Sequence, residues 1–344
     1  MRIREALARD LTRTAQGVSR ARGWGEPPRL HLEARSDPDF GDLTCNLPLA
    51  WSRSAGCPPH SLARALIEAL PPRPWWREVR LEGPGFLNFF LSPVGLQVVV
   101  LDVLRRGARC LQTGEGRGRE VQVPGVRALP QTLEQGGRIL DWEARARLLE
   151  SSGFRVVREF RESEPAPPVR LVGRKANRPW TFPQLLETFG QPVLGFLLLD
   201  RPGFLDLDLA RDPTLANPAQ KVLYACTRTW ALKKMAADQG FAPGSPPKRS
   251  DLEALGTSRE FRLARALEEL PWTTARAAAQ NRPRLLTAWA VALADLFHAY
   301  YNHERILGAP PAVTRARLAL AQAVQEGLEA ALAVLGLRSP ERRA

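Results

Sequence analysis

A chain of 344 residues has room for two or three domains, and with 44% hydrophobic residues it is not a disordered polymer. Forty-nine Lys and Arg against 36 Asp and Glu leave a formal charge of +13, and only Lys175, Lys221, Lys233, Lys234 and Lys248 are lysines. A surplus carried by guanidinium points towards RNA, because arginine takes phosphate in a planar fork and stacks on bases.

The elements fall into three blocks. Ile3, Leu7 and Leu11 recur every four residues and predict an opening amphipathic helix. A second helix is predicted from Ser61 to Leu70, with Leu62, Leu66 and Ala69 on one face. Leu30-His31-Leu32 and the run from Glu78 to Leu91 read as strands, and the glycine-rich stretch from Gln112 to Arg119 reads as a flexible linker. The middle block predicts a strand at Glu120 to Val123, a helix at Gly137 to Ser151 and a strand at Phe154 to Phe160, the pattern of a right-handed parallel crossover. Glu164 to Pro168 interrupts it; one strand, Val169 to Val172, and two short helical runs follow, too few strands for a complete doubly wound sheet. From about Asn217 the chain reads as helix throughout. Leu286, Trp289, Leu293, Leu296 or Phe297, and Tyr300 line one face, and Val313, Leu320, Val324, Leu328, Leu332 and Leu335 another, closed by Gly336.

Other chemistries find little support. Cys45, Cys57, Cys110 and Cys226 are too scattered for a disulfide framework, and His31, His60, His298 and His303 lack zinc-ligand spacing. No cofactor or metal is expected. The most apolar window, Phe86 to Leu104, is broken by Asn88, Pro93, Gln97 and Asp102, and the N-terminus lacks an apolar signal core; the expectation is a cytoplasmic protein without a membrane span.

Several strings resemble one family, the class I arginyl-tRNA synthetases. Asp39-Phe-Gly-Asp42-Leu-Thr-Cys-Asn46, followed by an alanine- and leucine-rich helix and then Gly83-Pro-Gly-Phe86-Leu-Asn88-Phe89-Phe90, is similar to that family's N-terminal domain. Asn217-Pro218 with Tyr224-Ala225-Cys-Thr-Arg228, Leu293 to Asn302, and the ending Leu335-Gly336 to Arg342 resemble its DALR-type anticodon-binding domain. The resemblance implies an α+β N-terminal domain at 1–111, a truncated Rossmann-like α/β remnant at 120–212 and an all-α helical bundle of the anticodon-binding type at 213–344. It also implies contact with the tRNA elbow through Phe86 and Asn88, and with the anticodon stem-loop through Tyr224, Arg228, Tyr301, Asn302 and Arg305. Stacking rings and edge-bonding amides are what single-stranded loops require. Tyr300 and His298 read instead as packed helix residues.

In the middle the resemblance fails. The family's His-Ile-Gly-His signature falls on Thr132, Leu133, Glu134 and Gln135, and its Lys-Met-Ser-Lys-Arg loop on Leu171, Val172, Gly173, Arg174 and Lys175. Pro124 and Val126 stand where the family's amino-acid contacts should be. Charge that develops on a triphosphate needs cationic donors, and Glu134 would repel it. The reading is a non-catalytic protein that binds tRNA of arginine type at elbow and anticodon, with a tRNA-modifying or translation protein as a further partner. Two alternatives stand beside it: a minimal arginine–tRNA ligase, completed by a partner subunit, and an RNA-free scaffold that binds proteins through Pro271 to Ala290.

Overall fold

The protein is described as a computed structural model, over residues 2–34, 38–125, 129–160, 167–241 and 247–339. Its contacts divide it into two compact units, residues 1–102 with 247–268, and residues 103–246 with 269–344.

The first unit opens with α1 (Ile3–Arg22), which buries Ile3, Leu7, Leu11 and Ala15 and stops at left-handed Gly23. β1 (Leu32–Ala34), β2 (Leu43–Cys45), α2 (Leu47–Ala55), α3 (Pro59–Ala69), β3 (Trp76–Glu82), β4 (Phe86–Leu91) and α4 (Pro93–Arg106) follow. The four strands form an antiparallel sheet in the order β1-β2-β4-β3. Between β3 and β4, Gly83 and Gly85 take positive φ of 53° and 142°, and a Cβ on Gly85 would press on Pro59 at 2.8 Å. Asp42 accepts the Leu91 amide at 2.6 Å and pairs with Arg265 at 3.0 Å; burial raises its pKa. That carboxylate, from the first family-like string, therefore ties sheet to helix within one unit.

The second unit holds two small parallel sheets. β5 (Glu120–Gly125) pairs with β6 (Arg155–Phe160) across α5 (Leu133–Ser151). β7 (Arg170–Val172) is followed by α6 (Phe182–Phe189) and α7 (Gln191–Asp200), then pairs with β8 (Phe204–Asp206), which runs into α8 (Leu207–Arg211). The helices α9 (Pro218–Asp238), α10 (Ser258–Ala279, divided between the units), α11 (Arg284–His303) and α12 (Pro311–Val334) complete the chain. Asn217 caps α9 by accepting the Ala219 amide at 3.0 Å, and its own amide group donates to Leu209 O at 2.8 Å, so it is fully buried yet satisfied. On α11 Phe297 faces the core and Leu296 stands half-buried, and α12 is closed by Gly336 at φ 74°.

Three expectations need correction. The glycine-rich stretch is not a free linker: Thr113 N donates to Ser151 O at 2.9 Å and Gly116 N to Ser152 O at 2.8 Å, and Arg119 lies 4.6 Å from the Phe154 ring centroid. Its glycines serve close packing, because a Cβ on Gly116 would overlap that ring. The strand β8 was not foreseen, being three residues long. The face available to a protein partner between Pro271 and Ala290 is narrower than the segment itself: Thr274, Ala277, Leu286 and Ala290 are at 0% exposure, while Arg276, Gln280, Arg282, Arg284 and Ala288 are exposed. Val126, Glu164 to Ala166 and Pro340 to Arg342 lie outside the described residues.

None of the four cysteines is in a disulfide, and burial pushes the Cys45 and Cys226 thiols up to about 12. Among the described residues no His, Cys, Asp or Glu cluster could hold a metal ion, and no helix is long and apolar enough to cross a membrane.

The Gly116 packing generates a test. Gly116→Ala should lower the stability read from urea unfolding by about 1–3 kcal/mol, as overpacking does elsewhere; an unchanged midpoint would return the segment to linker status.

Candidate nucleic-acid interface

Three of the residues expected at the anticodon end, Tyr224, Tyr301 and Asn302, converge on a fourth, Arg228. Tyr224 and Arg228 are four apart on α9, and His298, Tyr301 and Asn302 share a face of α11, so each helix brings its polar side chains to one place. The guanidinium carbon lies 4.6 Å from the Tyr224 ring centroid and 4.6 Å from that of Tyr301. Arg228 Nη1 approaches His298 Nδ1 and Asn302 Oδ1, both at 3.3 Å. His298 Nε2 meets Lys221 O at 3.0 Å, and its ring stacks on Tyr224 with centroids 5.7 Å apart and planes at 26°.

Those contacts assign the imidazole's tautomer. A carbonyl can only accept, so Nε2 carries the proton and donates to Lys221, leaving Nδ1 to accept from Arg228. Burial, joined by the neighbouring Arg228 charge and opposed by the Lys221 carbonyl, holds the His298 pKa below its ordinary value. His298, which sequence reasoning set aside as a packed helix residue, is thus packed and also holds the arginine. Its spacing three and four residues before Tyr301 and Asn302 was the available signal. Tyr224 is 43% exposed, Arg228 and Tyr301 are half-buried, and Asn302 is exposed, so the cluster presents a cation flanked by two rings to solvent.

Other predicted positions fare differently. Arg305 is exposed, its guanidinium about the Gly308 turn, where a Cβ would come within 3.2 Å of Nη2, and it makes none of the contacts within the Arg228 cluster described above. Tyr300 is fully buried, as its helical position implied. At the N-terminal end Phe86 is half-buried beside the Gly83 turn. Asn88 requires correction as a base-reading group. It is 0% exposed, accepts the Thr44 hydroxyl at 2.6 Å and donates to Glu82 at 2.8 Å. It sits on β4 between two neighbouring strands, so its amide serves the sheet.

The positions of the two ATP signatures are occupied by structural devices. Thr132 caps α5: Gln135 N donates to Thr132 Oγ1 at 3.3 Å, and Gln135 Oε1 accepts from Thr132 N at 3.2 Å and Gln131 N at 2.9 Å. Leu133 is buried, Glu134 half-buried, and the Phe182 ring fills the space a side chain on Gly136 would need. In the second signature Leu171 lies on β7. Arg174 N donates to Asp208 at 3.0 Å, with its exposed guanidinium 3.4 Å from the same carboxylate, whose pKa those contacts lower, the backbone amide foremost. Lys175 is exposed at φ 68°, and its carbonyl accepts from Trp180 Nε1 at 3.0 Å.

This arrangement, an antiparallel α+β unit and a helical unit carrying an Arg–Tyr–Tyr cluster, has the fold of arginyl-tRNA synthetases. It superposes on the Thermus thermophilus arginyl-tRNA synthetase with a TM-score of 0.76 at 14% identity, over 98% of this chain and 100% of that one. Residues 1–91 match the arginyl tRNA synthetase N terminal domain family and residues 222–342 the DALR anticodon binding domain family. The chain is 30% identical over 175 residues to the arginine–tRNA ligase of Desulfitobacterium hafniense, and 39% identical over 136 residues to that of Coxiella burnetii. Those matches cover 50% and 39% of this chain but only 31% and 23% of the two relatives. Both ends of the chain are thus similar to domains of arginyl-tRNA synthetases, over residues 1–91 and 222–342.

The neutral His298 generates a pH test. Its folded pKa lies below the unfolded value near 6.5, so its contribution is complete above that value and is lost as pH falls through the folded one. Urea titrations at about pH 7.5 and about pH 5 should show a loss of stability in the wild type that His298→Gln reduces. Equal losses in both proteins would remove His298 from this role.

Proposed function

We propose that this chain is a non-catalytic, tRNA-binding member of the arginyl-tRNA synthetase family, with the anticodon stem-loop of an arginine-type tRNA engaged at the Arg228 cluster. The cluster carries the reading: a guanidinium held between two tyrosine faces, one of them 43% exposed, offers both stacking planes and hydrogen-bond donors to an unpaired base. Asn302 adds an exposed amide beside it. The charge of +13 supplies the sequence-independent attraction to phosphate. Contact with the tRNA elbow through the N-terminal unit belongs to the same proposal, with Phe86 as the exposed-edge ring and Asn88 as the amide that braces its strand. Arg305 would add phosphate affinity. A tRNA-modifying or translation protein would receive the bound tRNA.

The absence of catalysis is proposed on the capping of α5. A helix start whose Gln135 amide is taken by Thr132, whose preceding Thr132 and Gln131 amides are taken by Gln135, and which has Phe182 packed on Gly136, is a poor receptor for a triphosphate. The second reading is arginine–tRNA ligase activity, favoured by the relatives named above, which are arginine–tRNA ligases, and a partner subunit would then have to complete the site.

Two measurements separate these. Arginine-dependent ATP–pyrophosphate exchange should stay at background with and without cell extract, and clear exchange would overturn the non-catalytic reading. An arginine tRNA transcript should bind more tightly than random RNA of equal length, and Arg228→Glu should weaken it by about 1–3 kcal/mol. A transcript held no better than random RNA would sink specific tRNA binding.

A further inference from the structure

In the first unit an open groove of about 550 Å³ runs beside α1, within the size range of ligand sites, roughly 300–1,000 Å³. Pro27, Pro28 and Leu30 give it an apolar wall, and Arg9, Arg13 and Arg29 line its polar side. All three arginines are exposed, and no ion pair joins any of them among the described residues. Arg9 and Arg13 are four apart on one helix face, where like charges repel, and Arg29 adds a third from the facing segment. Charge left uncompensated in one place is what an anion would relieve.

The groove is built before any ligand arrives. Ser19 Oγ donates to Trp24 O at 2.8 Å and Trp51 Nε1 to Gly25 O at 2.7 Å, so the segment carrying the prolines is pinned to α1 and α2. The Trp24 and Trp51 rings meet edge to face at 5.9 Å, and a Cβ on Gly25 would overlap the Ser54 carbonyl. Proline fixes φ at both following positions, so the wall needs little ordering on binding.

We propose that this groove takes one unpaired nucleotide of a bound RNA, its base against Pro27, Pro28 and Leu30 and its phosphate on Arg9, Arg13 and Arg29. The inference rests on the RNA-binding reading and gives the N-terminal unit a contact surface separate from β4. Charge complementarity selects the occupant: guanidinium forks match phosphate, and a flat apolar wall matches a base face. The groove is open to solvent, as a nucleotide within a strand requires.

The test compares an arginine tRNA transcript with its isolated anticodon stem-loop by filter binding. The double variant Arg9→Glu/Arg13→Glu should weaken the transcript about tenfold and leave the stem-loop within about twofold. Arg64→Glu, an equally exposed reversal on α3, should weaken the transcript far less. The milder Arg9→Gln/Arg13→Gln pair, with unchanged circular dichroism, guards against a folding defect. Equal losses for the groove and Arg64 variants, or none, would overturn the site while leaving the Arg228 reading intact. Binding of adenosine monophosphate that the double variant abolishes, with transcript binding unmoved, would overturn the strand as occupant. Failure of wild type to prefer the transcript over random RNA would overturn both proposals together.

Discussion

Arg228 can act as a rigid ledge only because a neutral imidazole stands behind it. A free arginine side chain samples many rotamers, and immobilising it on binding costs about 2 kcal/mol. Here two tyrosine rings confine the guanidinium, and His298 and Asn302 both take Nη1, so much of that cost has been met within the protein. The remaining N–H donors of the fork are left for an outside acceptor. His298 is positioned in turn by a backbone carbonyl of α9, which means the ledge exists only while α9 and α11 keep their register.

The same economy governs the start of α5, with the opposite outcome. A helix N-terminus attracts an anion through amides that have no internal partner. Thr132 and Gln135 engage each other's amides reciprocally, an arrangement that stabilises helix starts by about 0.5–2 kcal/mol relative to an uncapped one. Threonine is among the better caps, so this helix start gains a structural bond from its own N-cap residue. Asp208 shows the parallel on the other side: it accepts the Arg174 amide and faces its guanidinium, so positive charge at the second signature is spent within the chain.

Sequence reasoning reached the long helices and the parallel β5–α5–β6 unit because their signals are local, a repeated apolar face or a short strand beside a strong helix. It reached Tyr224, Arg228, Tyr301 and Asn302 through the family resemblance, and spacing along α9 and α11 accounts for how they come to share a face. Asn88 was misread for a physical reason. Alternation along β4 says that it shares a face with Phe86 and Phe90, but whether that face is covered depends on β2 and β3, which lie elsewhere in the chain. Gly116 was misread likewise. Glycine marks flexibility and close approach with the same letter, and only Phe154 across the turn distinguishes them.

The two parallel sheets explain what replaces a missing core. A pair of strands buries too little surface to stand alone, and β5–β6 and β7–β8 are each only such a pair. The burden passes to α7, apolar on every side, where Leu194, Phe196 and Leu199 are at most 1% exposed. It packs against α5, α6, α9 and α11, and Gly195 admits Leu337 from the chain's last turn so closely that a Cβ there would collide. Gln191 closes the same corner, donating to Gly336 O at 2.6 Å and accepting the Arg338 amide at 3.2 Å. The α/β remnant thus borrows its core from the helices that carry Arg228 and His298, and α7 joins them without passing through either sheet.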